Sequence, residues 1–232
     1  MKTIILAGGF GTRLQSVVKD IPKPMADING TPFLALLMDN MLYYGASEFI
    51  LCVSYMHEKI SGYFGDSFKG VPVRYSIEKE PLGTGGAIKR AFDMFSIENA
   101  LVINGDSFIR MDYRSFFVKY CNEMLAMVLR HTEDASRYGL VKTESGRICG
   151  FSEKKPESQA GYINAGIYAI RKELFSFAPS AVKFSFEKDI LEKHIAEIMP
   201  PYYASDGYFI DIGLPESYAQ AKMEINNKSI KR

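Results

Sequence analysis

The chain has 232 residues, of which 47% are hydrophobic and 24% are charged, and its 28 Lys and Arg nearly balance its 27 Asp and Glu. This composition is typical of a globular protein, and the net charge of +1 gives no support to a nucleic-acid partner. Three cysteines far apart in the chain predict buried thiols, and no apolar run is long enough to span a bilayer. We therefore expect a cytoplasmic protein with no membrane partner.

The first half of the chain alternates short apolar strands with amphipathic helices. Predicted strands cover residues 2–7, 48–54, 71–77 and 99–104, and predicted helices cover residues 31–45, 57–65 and 84–95. In the first of these helices we expect Thr31 as the N-cap, Pro32 at the first helical position and Gly45 as the stop. The alternation predicts an α/β fold: a Rossmann-like open, mainly parallel sheet with helices on both faces.

The pattern changes from about Leu125. Predicted strands then follow closely at residues 126–132, 138–143, 146–154 and 162–170, before a helix at 186–199, a strand at 207–213 and a helix at 215–225. Strands with few helical residues between them predict a smaller mixed or antiparallel extension of the sheet. We expect one domain over residues 1–225, with its two halves meeting near residue 125, and a polar tail at 226–232.

A glycine-rich stretch, LAGGFGTRLQSVVKDIPKPM, follows the first predicted strand directly. In an open α/β sheet, ligands lie beyond the carboxyl ends of the strands, and Gly8, Gly9 and Gly11 stand at that position. Glycines leave backbone N–H groups accessible to phosphate oxygens, while Arg13 offers a forked donor and Lys23 a point charge. The stretch predicts a site for a phosphorylated ligand. A glycine turn with two solvated cations is the simpler interpretation of these residues taken alone.

Two familiar phosphate-binding motifs do not match this loop. The Walker motif ends in GK followed by Ser or Thr, a sequence that the stretch lacks. The dinucleotide fingerprint needs a glycine or an alanine where Leu14 stands, which also argues against a nicotinamide dehydrogenase. The loop is therefore of another kind.

The motif LAGGFGTRL followed by PKPM resembles the signature of nucleotidyltransferases that join an NTP to a sugar 1-phosphate. The segments EPLGTGGA, INGDS, FSEKKP, YINAGIYAI and FIDIGLPESY follow in that family's order, so the resemblance runs from Lys2 to about Ile225. Within the family, the segment YFGDSFKGVPVRYSIEKEPLGTGGAI is most similar to D-glycero-α-D-manno-heptose 1-phosphate guanylyltransferases. The resemblance implies a nucleotide half over about residues 1–124 and a sugar-binding half over about 125–225.

The implied reaction transfers GMP from GTP to D-glycero-α-D-manno-heptose 1-phosphate, giving pyrophosphate and a GDP-heptose for surface polysaccharide. The sugar phosphate attacks the α-phosphorus in line, with Mg²⁺ as the cofactor and no protein nucleophile. Mannose 1-phosphate guanylyltransferase and an amino-sugar 1-phosphate uridylyltransferase are the alternatives within the family. A nucleotide-sugar sensor without turnover is the alternative from another class. Because the chain ends soon after the FIDIG motif, we expect no second domain and leave a homo-oligomer open.

By the same resemblance, Arg13, Lys23 and Asp106 are the expected catalytic residues. The residues expected to bind the nucleotide are Leu6, Ala7, Gly8, Gly9, Gly11, Thr12, Arg13, Lys23, Glu78, Glu80, Gly83 and Thr84. The residues expected to bind the sugar phosphate are Asn104, Gly139, Glu153, Lys154 and Asn164. Glu78 or Glu80 is the expected acceptor for the two N–H donors of guanine, although EPLGTGGA also resembles uridylyltransferases.

Two aspartates are expected to hold the metal. Asp106 follows one apolar strand and Asp211 ends another, where a carboxylate faces the ligand crevice. Two carboxylates are a normal protein share of a Mg²⁺ site. Taken singly, Asp106 is equally well explained as a turn residue after Gly105, and Asp211 as part of a helix-capping network. Their occurrence together with the glycine loop favours the metal site.

Overall fold

The computed structural model describes residues 1–9, 13–14, 17–18, 20–136, 138–152 and 159–225. The strands are β1 (Lys2–Leu6), β2 (Asp27–Ile28), β3 (Thr31–Pro32), β4 (Glu48–Val53), β5 (Ser67–Phe68), β6 (Val71–Ile77), β7 (Asn99–Asn104), β8 (Ser107–Ile109), β9 (Leu125–Thr132), β10 (Leu140–Glu144), β11 (Arg147–Ser152), β12 (Gly161–Arg171), β13 (Tyr202–Ala204) and β14 (Phe209–Asp211). The α-helices are α1 (Phe33–Tyr43), α2 (His57–Phe64), α3 (Gly83–Met94), α4 (Tyr113–Tyr120), α5 (Glu192–Ile198) and α6 (Pro215–Glu224). Short 3-10 helices form at Lys23–Met25 and Lys172–Phe177, and a π-helix forms at Phe186–Leu191.

The chain divides into two compact units. The first unit is built from Met1–Glu80, Ile103–Arg114 and Gly207–Arg232, and the second from Pro81–Val102 and Ser115–Asp206. Strand β7 begins in the second unit, and its last residues belong to the first. Three separated stretches of chain therefore supply the first unit, and two supply the second.

A parallel sheet forms the centre of the first unit. β1 pairs with β4 and β4 with β6 in parallel register, with Ile4 beside Ile50 and Leu51 beside Tyr75. The apolar residues of β1 and β4 are almost all inaccessible to solvent, as expected for strands covered on both faces. β5 turns back antiparallel to β6. The carboxyl ends of β1 and β4 therefore lie side by side.

A separate strand pair joins distant parts of the first unit. β8 and β14 run antiparallel, with Ile210 opposite Phe108 and Asp211 opposite Ser107. Ile210 and Phe108 are both buried, so the pair is anchored by apolar side chains. The pairing places the end of β14 next to the start of β8.

The sheet of the second unit is mostly antiparallel. β12 pairs antiparallel with β9 and with β10, β10 forms a hairpin with β11, and β13 adds parallel to β9. Ser145 and Gly146 turn the hairpin and both have positive φ. The register of β12 against β9 shifts between Asn164 and Tyr168, which marks a bulge in β12.

The parallel strands of the first unit and the mostly antiparallel strands of the second confirm the predicted α/β architecture with a mixed extension. The expected Thr31 cap is wrong, because Thr31 and Pro32 pair with β2 and α1 begins at Phe33 with Pro32 as its N-cap. Gly45 follows the C-cap Tyr44 with a φ of 84°, as its expected role as a stop requires. The helix predicted at 186–199 begins as a π-helix, and α4 was not predicted. In the described part of the chain, every helix is too short or too polar to cross a membrane.

Candidate active site

The glycine loop begins where β1 ends. The N–H of Ala7 donates to a carbonyl at the end of β4 (2.8 Å), so the strand pairing continues one residue past β1. A Cβ at Gly8 would approach Ser54 to 3.3 Å, whereas a Cβ at Gly9 would meet no described atom within 4 Å. The backbone at Gly9 is therefore open to a neighbour at the carboxyl end of the sheet.

Other residues of the predicted nucleotide site are described in part. The Leu6 carbonyl accepts the N–H of Gly105 (2.9 Å), which joins the loop after β1 to the loop after β7. Arg13 is exposed to solvent, so its guanidinium is not committed to the core. Gly11 and Thr12 lie outside the described residues, and their expected roles stay predictions.

Lys23 and Asp106 form an ion pair. Lys23 opens its 3-10 helix, and its Nζ lies 2.6 Å from Oδ2 of Asp106. The Lys23 side chain is 15% exposed and that of Asp106 is 36% exposed, so water screens the lysine charge only weakly. The predicted catalytic cation and one predicted metal ligand are therefore in direct contact.

The pairing of β8 with β14 brings the second aspartate to the same place. Asp211 stands opposite Ser107, which follows Asp106 in the sequence. The carbonyl of Asp106 accepts the N–H of Ile212 (2.9 Å), and its carboxylate Oδ1 accepts the hydroxyl of Ser107 (3.1 Å). Backbone and side-chain bonds therefore hold Asp106 in position, next to the strand that carries Asp211.

Gly213 lies against both charged groups. Its N–H donates to Oδ1 of Asp211 (2.9 Å). A Cβ at this position would lie 2.6 Å from that oxygen and 3.4 Å from Nζ of Lys23. The absence of a side chain at Gly213 is therefore what allows the Asp211 carboxylate to occupy its position, whereas a Cβ would make only ordinary van der Waals contact with the Lys23 ammonium.

The oxygen donors suit a hard divalent cation. Asp211 ends β14, and Asp106 immediately precedes β8, the strand with which β14 pairs. Mg²⁺ is commonly bound by one or two carboxylates together with phosphates and water. Across the ranges that the structure describes, no three His, Cys, Asp or Glu side chains form a group that could hold a metal ion. The two aspartates would therefore supply part of a coordination shell, and a phosphorylated substrate would supply the rest.

The two candidate acceptors for the base differ in exposure. Glu78 follows β6 and is buried, and its N–H donates to the Val53 carbonyl at the end of β4 (2.8 Å). Glu80 is exposed to solvent. Asn104, the last residue of β7, has a buried Oδ1 that accepts no hydrogen bond from the described residues. An unpaired buried oxygen is costly, so Asn104 Oδ1 marks a place where a ligand or a water donor is expected.

In the second unit, the glycine motif before α3 is engaged in packing. Gly83 has a φ of 73°, and a Cβ there would lie 2.4 Å from the carbonyl oxygen of Phe184. The Thr84 hydroxyl donates to Oε2 of Glu187 (2.6 Å) and accepts the N–H of Phe186 (2.9 Å). The motif therefore fastens α3 to the π-helix segment, a role that the sequence did not reveal. Binding of the nucleotide by Gly83 and Thr84 stays a prediction.

Two of the predicted sugar-binding residues of the second unit are described. A Cβ at Gly139 would lie 2.5 Å from the ring of Phe151, and the Gly139 carbonyl accepts the N–H of Asn164 (3.3 Å). The Asn164 side chain donates to the hydroxyl of Tyr168 (2.7 Å) and accepts the N–H of Gly166 (3.0 Å). These bonds fix the orientation of the amide within the bulge of β12.

Glu153 and Lys154, the other predicted sugar-binding residues of this unit, lie outside the described residues. Ser107 and Gly213, which orient the two aspartates, were not predicted as site residues from the sequence. Both lie inside motifs that were singled out, INGDS and FIDIG. They gave no separate signal, because serine and glycine are also the usual residues of turns.

A glycine loop at the end of a parallel sheet, with a cation and two carboxylates nearby, is the arrangement that nucleotidyl transfer requires. Comparison with known proteins agrees: the nucleotidyl transferase family profile matches residues 2–228, and the chain belongs to that family. D-glycero-alpha-D-manno-heptose 1-phosphate guanylyltransferase of Aneurinibacillus thermoaerophilus is 42% identical over 229 residues, which cover 98% of this chain and 99% of that protein. The protein of the same name from Campylobacter jejuni is 43% identical over 218 residues, covering 94% and 97% respectively.

Two solved structures are also similar to this chain. The crystal structure of HddC from Yersinia pseudotuberculosis matches with a TM-score of 0.84 and 37% identity, covering 97% of this chain and 99% of that chain. A crystal structure of the same protein complexed with GMP-PN matches with a TM-score of 0.83. The predicted fold and the predicted class of enzyme are thereby confirmed.

Proposed function

We propose that this enzyme transfers GMP from GTP to D-glycero-α-D-manno-heptose 1-phosphate. A phosphate oxygen of the sugar phosphate attacks the α-phosphorus of GTP, the bond from that phosphorus to the bridging oxygen breaks, and pyrophosphate leaves. The observation that carries the proposal is the 2.6 Å contact of Lys23 with Asp106, beside the strand that ends in Asp211. The identity of 42% and 43% to two guanylyltransferases over nearly the whole chain supports the choice of substrates.

Positive charge is the first requirement of the reaction, because two highly anionic substrates must meet. We assign Lys23 to the α-phosphate, where it would stabilise the charge that develops in the transition state. Arg13, exposed beside the glycine loop, is assigned to the triphosphate as a forked donor. The backbone N–H groups of the loop after β1 are assigned to the β- and γ-phosphates.

We further propose Mg²⁺ as the cofactor, with Asp106 and Asp211 as its protein ligands. When bound, the cation neutralises phosphate charge and stabilises the transition state of in-line displacement. The chain's own contribution is to hold the carboxylates still, through the hydroxyl of Ser107 and the N–H of Gly213. No protein nucleophile is needed, since positioning and charge stabilisation account for this class of transfer.

Recognition of guanine is assigned to a carboxylate that follows β6. Guanine presents N1–H and N2–H₂ on one edge, and a single carboxylate can accept from both. Glu80 is the exposed one of the two candidates and Glu78 the buried one, which favours Glu80 as the group that meets a base. Uracil offers one N–H between two carbonyls, so the same carboxylate would be repelled as well as attracted.

Sugar recognition is assigned to residues with hydrogen-bonding capacity or close backbone approach. Asn104 has a buried oxygen that accepts no bond from the described residues, and a sugar hydroxyl is a suitable donor. In the second unit, Gly139 and Asn164 are proposed to contact the ring and its hydroxyls. Glu153 is proposed to accept sugar hydroxyls and Lys154 to bind the phosphate.

A cytoplasmic location is proposed with this function. All three cysteines of the chain are described, and none of them forms a disulfide. Thiols that stay reduced suit the compartment where nucleotides are abundant.

The test is a matrix of pyrophosphate-release assays with Mg²⁺. GTP, UTP, CTP, ATP and dTTP are each combined with the 1-phosphates of D-glycero-D-manno-heptose, mannose, glucose and N-acetylglucosamine. We expect the highest kcat/KM for GTP with the heptose phosphate. A preference for UTP would refute the guanine assignment, and a preference for mannose with GTP would overturn the acceptor alone. Release from none of the pairs would point to a sensor without turnover.

A further inference from the structure

Lys23 lies in the proposed metal site, where it is bonded to a carboxylate. Its Nζ is 2.6 Å from Oδ2 of Asp106, and the hydroxyl of Ser107 bonds the other oxygen, Oδ1, at 3.1 Å. A Cβ on Gly213 would be only 3.4 Å from Nζ and 2.6 Å from Oδ1 of Asp211. The ammonium is therefore bonded to one of the carboxylates assigned to the metal, and the Cβ position of Gly213 lies close to both the ammonium and the other carboxylate.

A divalent cation and an ammonium cannot share this position without repulsion. Lys23 is mostly buried, so water screens its charge weakly and the repulsion is felt at short range. We propose that Lys23 occupies the metal site of the nucleotide-free enzyme and opposes metal binding until a triphosphate is present. This inference rests on the proposed function, because the triphosphate is what offers Lys23 a second anionic partner.

The exchange of partners couples the two ligands. When Lys23 moves from Asp106 to the α-phosphate, the carboxylate that it leaves becomes available to the cation. Nucleotide binding therefore strengthens metal binding, and thermodynamic linkage requires that the metal strengthens nucleotide binding by the same factor. The enzyme takes up its cation together with GTP instead of holding it beforehand.

The test removes the ammonium and measures metal binding without turnover. Mn²⁺ is titrated into nucleotide-free enzyme and the unbound ion is followed by electron paramagnetic resonance. In Lys23→Met, which keeps an apolar side chain of similar length without the charge, we expect Mn²⁺ to bind about tenfold or more tightly than in the wild type. The rate of pyrophosphate release should fall in the same variant, because Lys23 is also assigned to the α-phosphate. Lys23→Met should therefore bind Mn²⁺ more tightly while catalysing the reaction more slowly.

The chain offers a matched control in a second Lys–Asp pair. Lys69 Nζ lies 2.6 Å from Oδ2 of Asp39, in an exposed pair that has no part in the proposed site. Lys69→Met should leave both the Mn²⁺ affinity and the rate of pyrophosphate release unchanged. A gain in affinity in this control as well would show a general effect of net charge and would overturn the proposal.

Unchanged or weaker Mn²⁺ binding in Lys23→Met would also overturn it. Adding Asp106→Asn to that variant should abolish the gain, and a gain that persists would mean that the metal binds elsewhere. If circular dichroism shows that Lys23→Met is unfolded, Lys23→Gln removes the same charge while keeping a polar amide, and the same comparison applies. Failure of the proposed function is seen separately, as a wild-type enzyme that releases no pyrophosphate from GTP and any sugar phosphate.

Discussion

Asp106 is held from both its side chain and its backbone, since its carboxylate bonds Lys23 and Ser107 while its carbonyl bonds Ile212. Asp106→Asn keeps the shape and the backbone bond but removes the negative charge. We expect kcat to fall by about 10²–10³-fold, the scale seen when one stabilising group is lost. The fold should persist but the melting temperature should fall, because the substitution leaves the mostly buried Lys23 ammonium without its carboxylate.

Pyrophosphate release and a thermal melt measure the two effects. Asp39→Asn is the control, because it removes the carboxylate of the exposed pair with Lys69 and should retain full activity. Full activity in Asp106→Asn, or in wild-type enzyme with excess EDTA, would contradict the metal assignment.

Gly213 supplies a second prediction at this scale. In Gly213→Ala the new Cβ would lie 2.6 Å from Oδ1 of Asp211, which is the movable end of a side chain and not fixed backbone. We expect the carboxylate to shift while the fold persists, so kcat should fall by about tenfold or more because a small misplacement of a positioned group is costly. The measurement is steady-state kinetics at saturating Mg²⁺ with a parallel thermal melt.

Gly62 is the matched control for that substitution. It lies within α2, and a Cβ there would meet no described atom within 4 Å. Gly62→Ala should leave kcat unchanged and stabilise the protein by roughly 0.5–1 kcal/mol through helix propensity. Equal activity in the two alanine variants would remove Gly213 from the site.

At the scale of elements, the start of α3 is the most constrained junction of the second unit. Gly83 has a φ of 73°, which residues other than glycine rarely adopt. In addition, a Cβ on Gly83 would lie 2.4 Å from the backbone oxygen of Phe184. Neither constraint can be relieved by rotating a side chain, so Gly83→Ala should destabilise by about 1–3 kcal/mol. A thermal melt should show a loss of roughly 2–4 °C for each kcal/mol in a chain of this size.

Thr84 provides the comparison for this junction. Thr84→Ser keeps the hydroxyl that bonds Glu187 and Phe186 and should melt close to the wild type. Thr84→Val removes both bonds and should melt lower. If Gly83→Ala melts as the wild type does, the packing role assigned to the glycine motif is wrong.

The strands of the first unit were predictable because each is a short apolar run, as parallel strands between helices must be. Helix α4 was missed, although its buried residues Tyr113, Phe116 and Tyr120 stand at helical spacing. The π-helix carries no such signal, since its period differs from the 3.6 residues that an amphipathic pattern reports. Thr31 was misassigned because pairing with β2 competes with capping, a choice that tertiary contacts decide.

The charged residues of the candidate site were predictable for a similar reason. Asp106 comes shortly after one apolar strand and Asp211 is the last residue of another. Such positions can be located from the sequence. The bond from Thr84 to Glu187 could not be predicted, because it joins residues 103 positions apart. The position of Gly213 relative to Lys23 and Asp211 depends on the final packing in the same way.

On the scale of the whole molecule, each of the three stretches of chain that build the first unit contributes one residue to the proposed site. Lys23 lies in Met1–Glu80, Asp106 in Ile103–Arg114 and Asp211 in Gly207–Arg232. The second unit is inserted between these stretches in the sequence. The catalytic cation and its two carboxylates therefore come together only when distant parts of the chain have folded.

The pairing of β8 with β14 has a consequence for the chain as it leaves the ribosome. Among the described strands, β8 has β14 as its sheet neighbour, and β14 is made roughly a hundred residues later, a delay of about 5–20 s at ordinary rates of synthesis. During that interval the nascent chain contains Lys23 and Asp106 but lacks Asp211. The edge of β8 is unpaired, so chaperones or other chains can bind to it. Ribosome-bound chains stalled before β14 emerges should show fast amide exchange in β8, and chains stalled after it has emerged should show protection.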